Sequence, residues 1–220
     1  MRQLKIKSIG LLEHWGFLLT QKTISQPEPK DYIVEVPGRN GSVDLTESMG
    51  GVRYGDREVE FVLLPIEGDY SQRMKNYYEL VRFIHGKVND IEEPDRSGEI
   101  LRGRWKVGEP SKINGDLFSF KLFCKNVYPY YISVPPHEIT YNLNSGDTHN
   151  ISVDYNGVGT VWPLVKFTGN GTITAEGDNI NYNLTSSYTR YDHIRLNKTV
   201  NNFKIQGNGD LTFLYSNESL

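Results

Sequence analysis

The sequence predicts a mainly β, α+β protein, with an antiparallel β domain carrying one helix over residues 1–133 and a β-sandwich over residues 134–220. Three observations lead there. Apolar residues recur with a period of two through most of the chain up to Tyr131, and only one segment carries a helical period. After Pro135-Pro136, short strand patterns crowd together between Gly, Asn and Asp turns.

The elements follow in order. Leu4 and Ile6, then Trp15, Phe17 and Leu19, read as opening strands, and Tyr32, Val34 and Val36 as the next. Pro37-Gly38-Arg39-Asn40-Gly41 stops that strand, because proline fixes φ while the two glycines relax backbone limits. After Asp44-Leu45-Thr46 a second bend, Met49-Gly50-Gly51, leads to Arg57–Leu64, where Val59, Phe61 and Leu63 alternate. The stretch from Asp31 to Leu64 is thus two core strands flanking a charged, shaped loop. Ser71 is placed to cap a helix whose inner face is Met74, Tyr77, Tyr78, Val81 and Ile84 and whose outer face is Lys75, Glu79 and Arg82; Gly86 marks its end. The acidic segment Asn89–Gly98 reads as a turn, with Glu92, Glu93 and Asp95 as solvated charge. Leu101, Gly103, Trp105 and Val107, then Phe118, Phe120, Leu122 and Cys124, complete the sheet system.

Tyr128-Pro129-Tyr130-Tyr131 and Pro135-Pro136 form a stiff connection that holds two domains at a fixed angle. Beyond it, HEITYNL, HNISVDY, PLVKF, TITAE, INYNL, HIRLN, NFKIQ and DLTFLY are strand candidates, the density expected of a sandwich or jelly roll.

Composition excludes several functions. The formal net charge of −3 gives no basic stripe, so sequence-specific nucleic-acid binding is not expected. Cys124 is the single cysteine, which precludes an intrachain disulfide and suits a small core residue. Glu13 and His14 interrupt what would be the apolar part of a signal peptide, so the N-terminus reads as part of the fold. The longest apolar run, Phe61–Ile66, is too short for a membrane helix, and a soluble protein without a membrane partner is expected. Triplets of the form N-x-S/T at Asn40, Asn150, Asn170, Asn183, Asn197 and Asn217 reflect turn composition.

No reaction chemistry is legible. The five histidines lack zinc-binding spacing and no cysteine pair completes a site, so no metal, cofactor or catalytic residue is assigned. Asp192 and His193 are adjacent at the start of a strand pattern, where their side chains would point to opposite faces. Asn142–Asp147, Asn156–Gly159 and Gly169–Gly171 read as turns, since no helix of a phosphate-binding pattern follows them.

The wording VPGRNGSVDLT followed by GVRYGDREVEF resembles the distal tail proteins of long-tailed (siphovirus) bacteriophages of Gram-positive hosts. The resemblance extends upstream through IKSIGLLEHWGFLLTQKTISQPEPKDYIVEVPG and downstream through the helix, His85-Gly86-Lys87, GRWKV and LFSFKLFCKNVYPYYIS. It covers roughly residues 1–135, with weaker wording beyond. It implies a galectin-like second domain and a non-enzymatic structural role in the tail tip or baseplate. The implied assembly is a homo-hexameric hub that joins the major tail tube protein to a tail-tip fibre or tail-associated lysin and forms part of the DNA conduit. A receptor-binding protein is a further partner, and the site of action is the virion after assembly in the host cytoplasm. Within that picture Pro37, Gly38, Arg39, Gly41, Asp44, Arg53, Tyr54 and Arg57 are the candidate ring-interface residues. The alternative is a carbohydrate-binding module for host cell-wall saccharide, with Tyr182, Tyr188 and Tyr191 as stacking candidates; Trp162 is placed in the core or at the domain contact.

Overall fold

The computed structural model describes residues 3–48, 51–144 and 146–220. Met49-Gly50 of the second bend and Ser145 of the Asn142–Asp147 turn lie outside the described residues. The chain divides into two compact units, Met1–Tyr131 with Leu220 and Ile132–Ser219, and each has its own buried cluster.

The first unit is built on an antiparallel sheet in the order Ile9–Gly10, Lys5–Ile6, Lys87–Glu92, Glu99–Val107, Leu117–Val127, Arg57–Pro65, Phe17–Ile24. Alternation drives it. Val59, Phe61 and Leu63 are buried, as are Leu101, Trp105 and Val107 and the row Phe118, Phe120, Leu122, Cys124. Phe61 stacks on Trp105 at 5.8 Å between centroids and Phe17 meets Phe120 edge-on at 5.1 Å. Fully burying such side chains contributes about 1.5–3 kcal/mol each. Gly103 is required by close approach, since a Cβ there would lie 2.8 Å from Cys124 Sγ.

The helix Tyr70–Ile84 covers this core through Tyr77, Leu80 and Ile84. Two details differ from expectation. Asp69, not Ser71, caps the helix, its Oδ1 accepting from the Gln72 N–H at 2.8 Å, because the helix starts one residue before Ser71. Tyr78 is 53% exposed and Leu80 takes its place, since the steps of three and four from Tyr77 to Ile84 pass through Leu80.

A second, short helix, Leu11–Trp15, was not expected. Trp15 therefore ends a helix instead of opening a strand; Leu11 and Trp15 face the core four residues apart, and Gly16 at φ +70° turns the chain into the Phe17–Ile24 strand. The Tyr32–Val36 region also departs from a core strand. Only Ile33–Glu35 is strand, and Tyr32, Ile33 and Val36 are exposed. Asn89–Gly98 is a solvated turn only in its second half. Its start belongs to the Lys87–Glu92 strand, and Asn89 and Glu93 are buried.

The second unit is a β-sandwich. One sheet runs His137–Leu143, Gly209–Tyr215, Leu164–Phe167, Thr189–Arg190; the other runs Thr148–Tyr155, Thr199–Gly207, Gly171–Ala175, Tyr182–Asn183. Ile151, Val153, Ile173, Phe203 and Ile205 of one sheet meet Val165, Phe167, Leu211 and Phe213 of the other, with Phe203 and Phe213 5.4 Å apart. Their alternate residues face outward, as a half-buried antiparallel sheet requires. HIRLN does not form the expected strand. His193 lies in a turn closed by the Ile194 N–H to Tyr191 oxygen bond, and Leu196 makes a single bridge to Val161 while Ile194 and Leu196 plug the core.

Candidate assembly surface

The loop between Asp31 and Arg57 folds into an arm. Ile33–Glu35 pairs with Ser42–Asp44 in a two-stranded sheet that pairs with no other strand among the described residues, in the register Ile33 to Asp44, Val34 to Val43 and Glu35 to Ser42. At its tip the Arg39 N–H donates to the Val36 oxygen, and Gly38 and Gly41 take φ of +82° and +78°, a region costly for other residues. At its root the Tyr32 N–H donates to Thr46 Oγ1 and the Leu45 N–H to the Tyr32 oxygen. Asp44 Oδ1 accepts from the Thr46 N–H at 2.9 Å. The Thr46 hydroxyl, and then that backbone bond, hold the Asp44 carboxyl below its ordinary pKa.

An isolated two-stranded hairpin is marginally stable in water at best. This one also leaves Tyr32 and Ile33 more than half exposed, beside Val36 and the charged Glu35 and Arg39. Sequence reasoning took Tyr32 and Val36, with Val34, for one face of a core strand, because alternation looks the same whether or not anything covers the face.

The structure separates the eight candidate residues into three settings. Pro37, Gly38, Arg39 and Gly41 form the exposed tip and Asp44 braces the root. Arg53 and Tyr54 lie on the returning segment, where the Lys30 N–H bonds to the Arg53 oxygen, Pro29 bridges to Tyr54, and Tyr54 meets Tyr130 edge-on. Arg57 is elsewhere, 1% exposed at the start of the Arg57–Pro65 strand.

Arg57 sits in a buried ionic cluster. Its Nε donates to the Pro129 oxygen, and its guanidinium carbon lies 4.7 Å from the Tyr131 ring centroid, with that of Arg96 at 4.0 Å. The Tyr131 hydroxyl donates to Glu93 Oε1 at 2.8 Å, and Lys22 Nζ bonds to Glu93 Oε2 and Asp95. Burial lowers the Arg57 pKa, and burial with the Glu93 bond raises that of Tyr131. For Lys22 burial works the other way, yet the hydrogen bonds to Asp95 and Glu93 hold its pKa above the usual value. Glu93 is therefore a buried, doubly bonded carboxylate and not the solvated charge expected. The cluster joins positions remote in sequence, and no local signal marks it.

The aromatic candidates of the sandwich do not converge. Tyr191 is buried and donates to the Asn183 oxygen, with the Tyr182 ring 5.2 Å away. Tyr188 is exposed beside the other sheet, its hydroxyl on Glu138 and Lys166 over its ring. Trp162 is not in the core; it is 43% exposed, with Nε1 donating to the Asp192 oxygen. His193 pairs with Asp178 at 3.2 Å and not with its neighbour Asp192. Among the described residues no three His, Cys, Asp or Glu side chains gather into a metal site, and no helix is long and apolar enough to cross a membrane.

The fold is that of a phage distal tail protein. It matches the crystal structure of the SPP1 Dit protein (gp 19.1) over 99% of both chains, with a TM-score of 0.67 at 14% sequence identity. That protein is described as a paradigm of the hub adsorption apparatus in phages infecting Gram-positive bacteria. No family model and no curated protein matches the sequence.

Proposed function

We propose that the chain is a structural, non-enzymatic hub of a phage tail tip, present in the virion and built as a homo-hexameric ring. The observation that carries the reading is the end-to-end fold match to a hub protein, joined to an arm that this unit leaves uncovered. A closed ring repeats one heterologous contact around an axis, and each contact of a stable ring should bury well above roughly 1,000 Å². The arm, with Tyr32, Ile33 and Val36, supplies an apolar centre for such a contact, and Glu35 and Arg39 a charged rim.

In this arrangement one face of the ring receives the tail tube and the other a tail-tip fibre or lysin-bearing protein, with DNA passing through the centre. Each chain contributes a formal charge of −3, so the ring as a whole has no net attraction for phosphate, and DNA is expected to pass without being held.

The test is solution mass by light scattering across a concentration series. The expected species is six times the 25.2 kDa chain, and the paired substitutions Tyr32→Ser and Ile33→Ser should return it to monomer with the fold intact. A strictly monomeric native chain at high concentration overturns the ring, and an unchanged oligomer in the double variant overturns the arm as its contact.

A further inference from the structure

We propose that the outer face of the Thr148–Tyr155, Thr199–Gly207, Gly171–Ala175 sheet binds a neutral glycan, a function that goes beyond the hub reading and does not depend on the ring. The face carries three adjoining clefts of about 490, 330 and 310 Å³. They share residues: Glu176 and Asn202 line the first and second, Lys204 the second and third, and Asp178 the first and third. They therefore form one trough across the strands.

Its polar groups are set in place before any ligand arrives. Ser152 Oγ donates to Asn202 Oδ1 at 2.7 Å, and Asn202 Nδ2 donates to Glu176 Oε2 at 2.7 Å, which fixes the amide orientation and leaves Glu176 acceptor capacity toward the trough. Asp178 similarly holds His193. Arg195 and Lys204, which also line the trough, have no ion-pair partner among the described residues.

The balance of charge selects the ligand class. Two carboxylates, Glu176 and Asp178, and two permanent cations, Arg195 and Lys204, line the trough together. A polyanion would meet the carboxylates and a cationic ligand the arginine and lysine. A sugar hydroxyl donates and accepts at once, so adjacent hydroxyls satisfy Glu176 and Arg195 together. Val200, 56% exposed in the same cleft, offers an apolar contact for the C–H face of a sugar ring. Among the described residues no exposed Phe, Tyr or Trp ring lines the trough: Phe203 is buried beneath it, and the ring that reaches it is the His193 imidazole, held by Asp178. Affinity per site should therefore be weak, with Kd on the order of 1 mM or above, and useful through many copies on one particle.

The experiment is saturation-transfer difference NMR on the full chain with maltose, cellobiose, lactose and diacetylchitobiose, each titrated to about 50 mM, and with inorganic phosphate as competitor. At least one disaccharide should give a saturable signal that phosphate does not displace. Glu176→Gln and Arg195→Ala should each weaken it about tenfold, the loss of one charge-assisted hydrogen bond. The absence of a saturable signal with all four sugars, an undiminished signal in both variants, or displacement by phosphate below the sugar concentration would each overturn the proposal. Arg195 has no ion-pair partner to lose, so its variant decides the matter even if Glu176→Gln destabilises the sheet. Solution mass measured on the same samples reads the ring independently.

Discussion

Arg39 and Arg57 stand in one charged stretch of sequence, yet the first is exposed on the tip of an arm and the second is buried under Tyr131 and Pro129. The difference shows that a guanidinium's role is decided by what the fold brings to it from far away. Arg39 has solvent and can await a partner chain. Arg57 has given up its hydration: Nε has the Pro129 carbonyl and the guanidinium lies over the Tyr131 ring with Glu93 nearby, while Nη2 is buried without a hydrogen-bond partner; removing one member of such a set leaves the others buried and unmatched.

The sharpest way to break this contrast is to substitute the two arginines in parallel. Arg57→Ala should destabilise the first unit by about 3–5 kcal/mol in denaturant unfolding, whereas Arg39→Ala should change stability by no more than about 0.5 kcal/mol while weakening assembly. Equal midpoints for the two variants would mean that the buried cluster contributes nothing. A smaller effect is expected at the helix start, where Asp69→Ala should cost about 1 kcal/mol and Ser71→Ala close to nothing. If the serine variant melts first, the cap has been misassigned.

The smallest effect concerns the arm itself and is read by pH. Asp44 has its folded pKa lowered by Thr46, so its contribution is full above the ordinary carboxylate value and is lost as pH falls through the depressed one. An NMR titration of the Asp44 carboxyl should show that depressed midpoint, and Thr46→Val should move it back up toward 3.8. A midpoint that stays put in the valine variant would show that the hydroxyl does not brace the arm.

Much of the fold was legible because period-two alternation is written locally. Val59, Phe61 and Leu63, and Phe118 through Cys124, needed no knowledge of their partners, and neither did HEITYNL, which is the His137–Leu143 strand. Failures came where the deciding contact is remote. Glu93 looks like any loop carboxylate until Tyr131 and Lys22 are beside it. Tyr32 and Val36 alternate like core residues although both are exposed among the described residues. Trp15 failed for another reason: its helix is too short for a period to register, and only Gly16 marks its end. The trough on the sandwich was illegible too, because its polar groups come from separate strands and turns.

The packing of Gly103 over Cys124 also makes the protein its own reporter. The only thiol in the chain is roofed by backbone with no room for even a methyl group, and the Cys124 side chain is 3% exposed. A thiol-modifying reagent can reach it only when the Leu117–Val127 strand parts from its neighbours. The labelling rate of the unmodified protein therefore measures how often the first unit opens, in the free chain and in any assembly, without a probe having to be introduced.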